Sequence, residues 1–272
     1  MIFDVSADLT YRFAQPCDVL LLIEASDGPD QVVLGDRLTV EPFSHLTRDC
    51  DRDGQRRTTF LANGDVTISY QATVERRGQE DDGDRTVAAV RDLPGDALPY
   101  LWPSRYCPSD RFERFVERSF GGLRDAALIE AIMNWTATHL EYRMGASNSL
   151  TDAMDTFVDR VGVCRDYAHL AICLLRASGV PARAVSAYAW SLEPPDMHAV
   201  VEAFIGGRWR LFDPTGRAPV EGLVRVATGA DAAHIAFMTI FGSAWLQEQA
   251  FRIARRPDAP LGNLAPTPAL RV

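Results

Sequence analysis

From Phe3 to Phe13 apolar and polar residues alternate without a break: Phe3, Val5, Ala7, Leu9, Tyr11 and Phe13 against Asp4, Ser6, Asp8, Thr10 and Arg12. A period of two places all six apolar side chains on one face, which a chain can bury only as a half-covered strand of a sheet. A second alternation runs through Val66, Ile68, Tyr70, Ala72 and Val74. Thr59-Phe60-Leu61-Ala62 and the pair Asn63-Gly64 precede it, and the tolerance of that pair for positive φ predicts a two-residue hairpin turn. Shorter runs at 19–24, 31–34, 37–41 and 86–90 complete an all-β first unit over residues 1–95, expected to be a sandwich. The acidic stretch GQEDDGD (78–84) reads as an exposed loop tip.

The period then changes. Pro94, Pro99, Pro103 and Pro108 break helix and central strand alike, so residues 96–110 form a junction. Beyond it, Asp110 and Glu113 stand at capping-box spacing ahead of Phe112, Phe115 and Val116. A helix over 123–140 carries Leu128, Ile132, Trp135 and His139 on one stripe, and another over 151–160 starts at Thr151 as N-cap. A fourth starts at Cys164, followed at helical spacing by Ala168, Ala171, Leu174 and Leu175, and stops at Gly179 and Pro181. The fold class is therefore α+β, with the β unit first, an α+β unit over 111–255, and an extended, Pro- and Ala-rich tail over 256–272.

Composition narrows the function classes. Of 272 residues, 47% are hydrophobic and 24% charged, as in a globular protein. A net charge of −9 gives no basic surface for a polyanion, so nucleic acid is not an expected partner. The N-terminus MIFDVSADLTYRF has no basic, apolar leader pattern, and no run approaches the roughly 20 apolar residues of a membrane span. A cytoplasmic protein with no membrane partner is expected. Five cysteines, an odd number with no C-x-x-C pair, argue against a disulfide scaffold or a four-thiolate zinc site. No cofactor and no metal are expected.

Cys164 falls in a first helical turn, where free N–H groups and the positive end of the helix dipole favour a thiolate. A buried structural thiol is the alternative reading. Nucleophilic chemistry on an amide needs a proton donor and a group that orients it. His169 lies about 140° around the helix from Cys164 and points elsewhere. His169 and Cys173, at i and i+4, could share a metal, but no further ligand is visible in the sequence.

His198 is better placed. The segments HAVVEAFI (198–205) and RWRLFD (208–213) flank Gly206-Gly207, a pair suited to a two-residue turn. With that turn Ile205 pairs with Arg208, Val200 faces Asp213, and His198 faces Thr215. His198, Val200, Glu202 and Phe204 then share a face with Trp209, Leu211, Asp213 and Thr215, and His198 and Asp213 become diagonal neighbours about 7–8 Å apart at the backbone. A three-residue loop would swap one strand's faces and separate the pair. A helix-start cysteine, a histidine and an aspartate placed to hold it form a nucleophile, base and orienter set.

The stretch GVCRDYAHLAICLLRASGVPARAVSAY, followed by DMHAVVEAFIGGRWRLFDPTG, resembles the transglutaminase-like superfamily, in particular its bacterial "transglutaminase-like putative cysteine protease" branch. The likeness extends upstream through LPYLWPSRYCPSDRF and SLTDAMDTFVDRVGVC and downstream to VATGADAAHIAFMTIFG. It implies a papain-like α+β core with Cys164 as nucleophile, His198 as general acid/base and Asp213 as its partner. Met197, Val200 and the Gly229-Ala230-Asp231 run depart from that branch, whose usual residues there are Phe, an aromatic, and an arginine after the glycine.

These residues predict acyl transfer: attack of Cys164 on a carboxamide of a peptide or protein, a thioester, and release to water or to a second amine. The Cys164 backbone N–H is the first oxyanion donor expected, with Tyr142, Asn148, Asp166 and Trp209 as further oxyanion or substrate candidates. Asp166 also suits the helix dipole. Arg183, Arg208, Arg210 and Arg217 could steer an acidic substrate or merely line a solvated strand face. A non-catalytic peptide-binding module that keeps the fold is the competing reading.

Overall fold

In a computed structural model of the chain, residues 1–51, 54–78 and 83–257 are described. The tail, from 258 onward, and most of the acidic loop tip lie outside them. The strands are β1 (Ile2–Leu21), β2 (Gln31–Glu41), β3 (Thr47–Cys50), β4 (Arg56–Arg76), β5 (Glu141–Tyr142), β6 (Val161–Gly162), β7 (Ala182–Ala189), β8 (Met197–Ile205), β9 (Arg208–Phe212), β10 (Leu223–Gly229), β11 (Met238–Phe241) and β12 (Ala244–Arg255). The helices are α1 (Glu113–Phe120), α2 (Asp125–His139), α3 (Ala153–Asp159), α4 (Cys164–Ala177) and α5 (Ala232–Ile235).

The alternation at the N-terminus becomes β1, whose Phe3, Val5, Ala7, Leu9, Tyr11 and Phe13 are all buried. It is the middle of a six-stranded antiparallel sheet, flanked by β4 on one edge and by β12 and β11 on the other, with β2 and β3 against β4. The last described strands thus return to the sheet that the first one opens. The span 111–255 expected as one α+β unit therefore serves two sheets.

The hairpin predicted at Asn63-Gly64 does not form. β4 runs through it, because both of its halves pair with the single long strand β1. Phe13 stands opposite Gly64 and Cys17 opposite Ala62, so three residues of β1 face Asn63 alone. Gly64 takes φ +69° at this bulge, and Pro16, which has no N–H to give a ladder, falls inside it.

The second sheet has the order β10-β7-β8-β9, all antiparallel. Helix α4 packs on β8 and β7 and is surrounded by α1, α2 and α3, so every residue from Asp166 to Arg176 is buried. A helix apolar nearly all round is a central helix. Its one interior cation, Arg176, is satisfied by the carbonyls of Ala182, Trp102 and Ala230 at 2.7–3.0 Å and by Ser104 Oγ at 3.1 Å. Among the described residues no helix is long and apolar enough to cross a membrane.

A buried ion chain joins the sheets. Asp30 accepts from Arg76 at 2.9 Å and from Arg225 at 2.5 Å; Arg225 also reaches Glu202 on β8 at 2.7 Å, and Arg183 on β7 reaches the same carboxylate at 2.7 Å. Burial, the largest influence on Glu202, pushes its carboxyl up; the two guanidinium groups outweigh it and hold the group below its ordinary value. Removing one member of such a chain strands the others in the interior. Glu202→Ala should cost about 3–5 kcal/mol in urea unfolding, and Glu202→Gln, which keeps the shape and some hydrogen bonds, should cost less.

Candidate active site

The turn between β8 and β9 decides the site's geometry. Ile205 pairs with Arg208, so the loop is Gly206-Gly207, with φ +60° and +69°. Side chains are excluded at Gly206 twice over, since a Cβ there would also overlap the carbonyl of Asp84. This is the register predicted from the two glycines. The ladder ends at Val201 opposite Phe212, and Asp213 lies one residue past it.

His198 and Asp213 meet there. His198 Nε2 lies 3.0 Å from Asp213 Oδ2, with both side chains buried. A carboxylate offers only acceptors, so Nε2 carries a proton, and Nδ1 is the ring nitrogen that the carboxylate does not engage. Nδ1 is buried without a hydrogen-bond partner. Four more donors converge on Asp213: Thr215 N at 2.9 Å and Thr215 Oγ1 at 2.7 Å on Oδ1, and the backbone N–H groups of Arg217 at 3.1 Å and Ala218 at 2.9 Å on Oδ2. Burial acts most strongly on Asp213 and raises its pKa, but these donors and the imidazole bring it below the ordinary value. For His198 burial is again the largest influence and disfavours the cation. The bond to Asp213 and the neighbouring Cys164 thiol overcome it and lift the imidazole to about 9.

Cys164 is the first residue of α4, after Val163 in extended backbone as N-cap. Cys17, Cys107 and Cys173 are sealed in the interior, whereas Cys164 is partly exposed. The sulfur therefore combines solvent access, a helix start and a histidine neighbour. Tyr142, on β5, neighbours Cys164; burial first, and the nearby thiol second, push the phenol up to about 12, so it stays protonated. Of the side chains named as oxyanion candidates, Tyr142 is the one that neighbours Cys164.

The other candidates lie elsewhere. Asp166 is buried and caps α4, accepting from Val163 N at 2.8 Å and Ser147 Oγ at 2.5 Å while pairing with Arg165. It has no capacity left for substrate. Asn148 spends its side-chain oxygen on Leu150 N at 2.8 Å, and Arg165 holds its carbonyl at 2.8 Å. Trp209 pairs with Phe204, six residues or about 20 Å along β8 from His198. It packs there against Phe204, Tyr100 and the Arg183 guanidinium. Sharing a face did not bring it near the histidine, because the strand separates them lengthwise.

His169 is buried, stacked flat on Tyr106, and accepts from Ala232 N at 3.1 Å; burial lowers it to about 4, so it is a neutral core group. Among the described residues no group of three or more His, Cys, Asp or Glu could hold a metal. Sequence reasoning passed over the full donor set around Asp213. Three of those donors are backbone N–H groups of a tight loop, which have no residue signature.

The charge states make a prediction. The folded pKa of His198 lies above its ordinary 6.5, so its contribution to stability is complete below pH 6.5 and is lost as pH rises through about 9. Asp213→Ala removes the anion and leaves burial unopposed by it, so the His198 titration followed by NMR should move down by about one unit or more.

A model of the transglutaminase-like superfamily matches residues 114–214. The structure titled "Putative Cysteine Protease from Cytophaga hutchinsonii" superimposes with a TM-score of 0.89 at 36% identity, covering 96% of this chain and 93% of that one. An uncharacterized protein of Mycobacterium leprae is 26% identical over 228 residues, 76% of this chain and 79% of its own length. An uncharacterized protein of Mycobacterium tuberculosis is 41% identical over 90 residues, 32% of this chain and 28% of its own. With a cysteine at the start of a buried helix, an imidazole–carboxylate pair beside it and these likenesses together, the chain belongs to the transglutaminase-like superfamily.

Proposed function

We propose that the protein is a cysteine-dependent acyl-transfer enzyme acting on carboxamides of peptides or proteins, with hydrolysis as the reaction it performs. The observation that carries this reading is the His198–Asp213 bond, which engages Nε2 and leaves the other ring nitrogen for the neighbouring, partly exposed Cys164 thiol. Cys164 gives its proton to His198 Nδ1 as its Sγ attacks the carbonyl carbon, forming a C–S bond while the carbonyl π pair moves to oxygen; the Cys164 N–H and the Tyr142 phenol are the donors we assign to that oxyanion. The C–N bond then breaks, and the amine leaves with the proton from His198. Water adds to the thioester carbon as His198 takes one of its protons; the C–S bond then breaks, the acid departs, and His198 returns the proton to the sulfur. Asp213 keeps the ring in the productive tautomer and stabilises the imidazolium.

An amine in place of water would make the same site a transamidase. Five unpaired cysteines suit the reducing cytoplasm, where we place the activity.

The test is trapping. Incubation with glutamine-containing and other amide peptides, read by intact-mass spectrometry, should show a thioester adduct on wild-type protein and none on Cys164→Ser. Asp213→Ala should slow turnover by about tenfold or more with folding retained. Iodoacetamide should label Cys164 faster than the other four cysteines. Slow, uniform labelling of the accessible thiols would leave only the peptide-binding module.

A further inference from the structure

Four arginines near the site in sequence were open to two readings, and the coordinates separate them. Arg183 is neutralised by Glu202 and stacked on Trp209. Arg210 is buried and donates to the carbonyl of Asp84 at 3.3 Å, and Arg208 closes the hairpin at Ile205, on the end of β8 far from His198. Only Arg217 reaches the candidate active site. It belongs to the loop that holds Asp213, donating its own backbone N–H to Oδ2 at 3.1 Å, and its guanidinium lies 4.4 Å from the ring centre of Tyr142, the neighbour of Cys164.

Three features distinguish this guanidinium from an ordinary surface cation. It is held from two directions: by Nη2 donating to the Glu193 carbonyl at 2.7 Å and by the face of the Tyr142 ring. It is exposed. And among the described residues no carboxylate pairs with it, although Arg143, Arg165, Arg183 and Arg225 around the same two sheets all have acidic partners. A guanidinium held in this way, with no carboxylate partner among the described residues of a chain of net charge −9, keeps N–H donors that no acid has taken. Its charge is felt at the Tyr142 phenol, which it draws downward against burial.

We propose that Arg217 is a carboxylate-binding subsite, selecting substrates that carry an anionic group next to the attacked amide, either an acidic side chain or a free C-terminal carboxylate. This rests on the acyl-transfer reading for its substrate but not for its test, because Cys164 can be alkylated without any amide. Iodoacetate and iodoacetamide differ only in carboxylate against carboxamide. In both reactions the sulfur forms a bond to the methylene carbon and iodide leaves with the bonding pair.

The measured quantity is the ratio of the iodoacetate to the iodoacetamide rate at Cys164, at one pH and ionic strength. It should fall by about threefold or more in Arg217→Ala, fall further in Arg217→Glu, and be largely kept in Arg217→Lys. Arg143→Ala, which removes a nearby cation already paired with Glu141, should leave the ratio as in wild type. An unchanged ratio in Arg217→Ala, including the case where both rates drop equally because Tyr142 has merely lost its support, overturns the proposal. So does an equal fall in Arg143→Ala, which would report only the bulk field.

Three peptides then identify the source of the carboxylate: N-acetyl-glutaminyl-glutamate amide, N-acetyl-glutaminyl-alanine and N-acetyl-glutaminyl-alanine amide. Preference for the first or the second, lost in Arg217→Ala, supports the subsite and assigns the side-chain or the terminal carboxylate. Equal turnover of all three overturns it. Turnover of none counts against the amide reading and leaves the alkylation ratio to decide on Arg217.

Discussion

The arrangement depends most on the length of one loop. Because side chains on a strand alternate with period two, a two-residue turn at Gly206-Gly207 sets the β8–β9 register so that His198 and Asp213 emerge on one face; a third residue would have turned one of them away. Both glycines stand at positive φ, and the first also has the Asp84 carbonyl pressed against it. A local backbone requirement thus becomes a 3.0 Å contact between an imidazole and a carboxylate.

The sulfur comes to that ribbon from a separate element. Helix α4 is buried along nearly its whole length, so its position is fixed by packing on every side, and only its first turn opens to solvent. The interior supplies rigidity, and the end presents its unsatisfied N–H groups and the positive end of the helix dipole. Asp166 contributes by capping that turn rather than by meeting substrate, and Ser147 ties the loop after Tyr142 to it. The ion chain from Asp30 through Arg225 and Glu202 to Arg183 couples the first sheet to β7 and β8, so the strand that carries His198 is braced from the other end of the molecule.

The electrostatics are consistent with this division. At Asp213 and His198 burial opposes the charged form and is overcome by specific partners; at His169 it is not overcome, and the ring stays neutral. Two histidines of one chain are thereby separated into a titrating group and a packing group. The same comparison distinguishes the arginines: those with carboxylate partners belong to the scaffold, and Arg217 remains available.

Much was legible in the sequence because it depends on period and spacing. The strand over residues 3–13, the central helix starting at Cys164, and the pairing of His198 with Asp213 all follow from which residues repeat at two, at 3.6, or across a two-glycine turn. What the sequence could not decide are meetings between segments distant along the chain. The Asn63-Gly64 pair reads as a turn until the length of β1 makes it a bulge, and 238–255 reads as part of the second unit until β1 accepts it as an edge. Trp209 shares a face with His198 yet lies far along the strand, whereas Arg217 finds the Tyr142 ring 75 residues away. Local conformation is written in neighbouring residues; proximity across the fold is set by packing and by the shapes of the surfaces that meet, which only the tertiary structure determines.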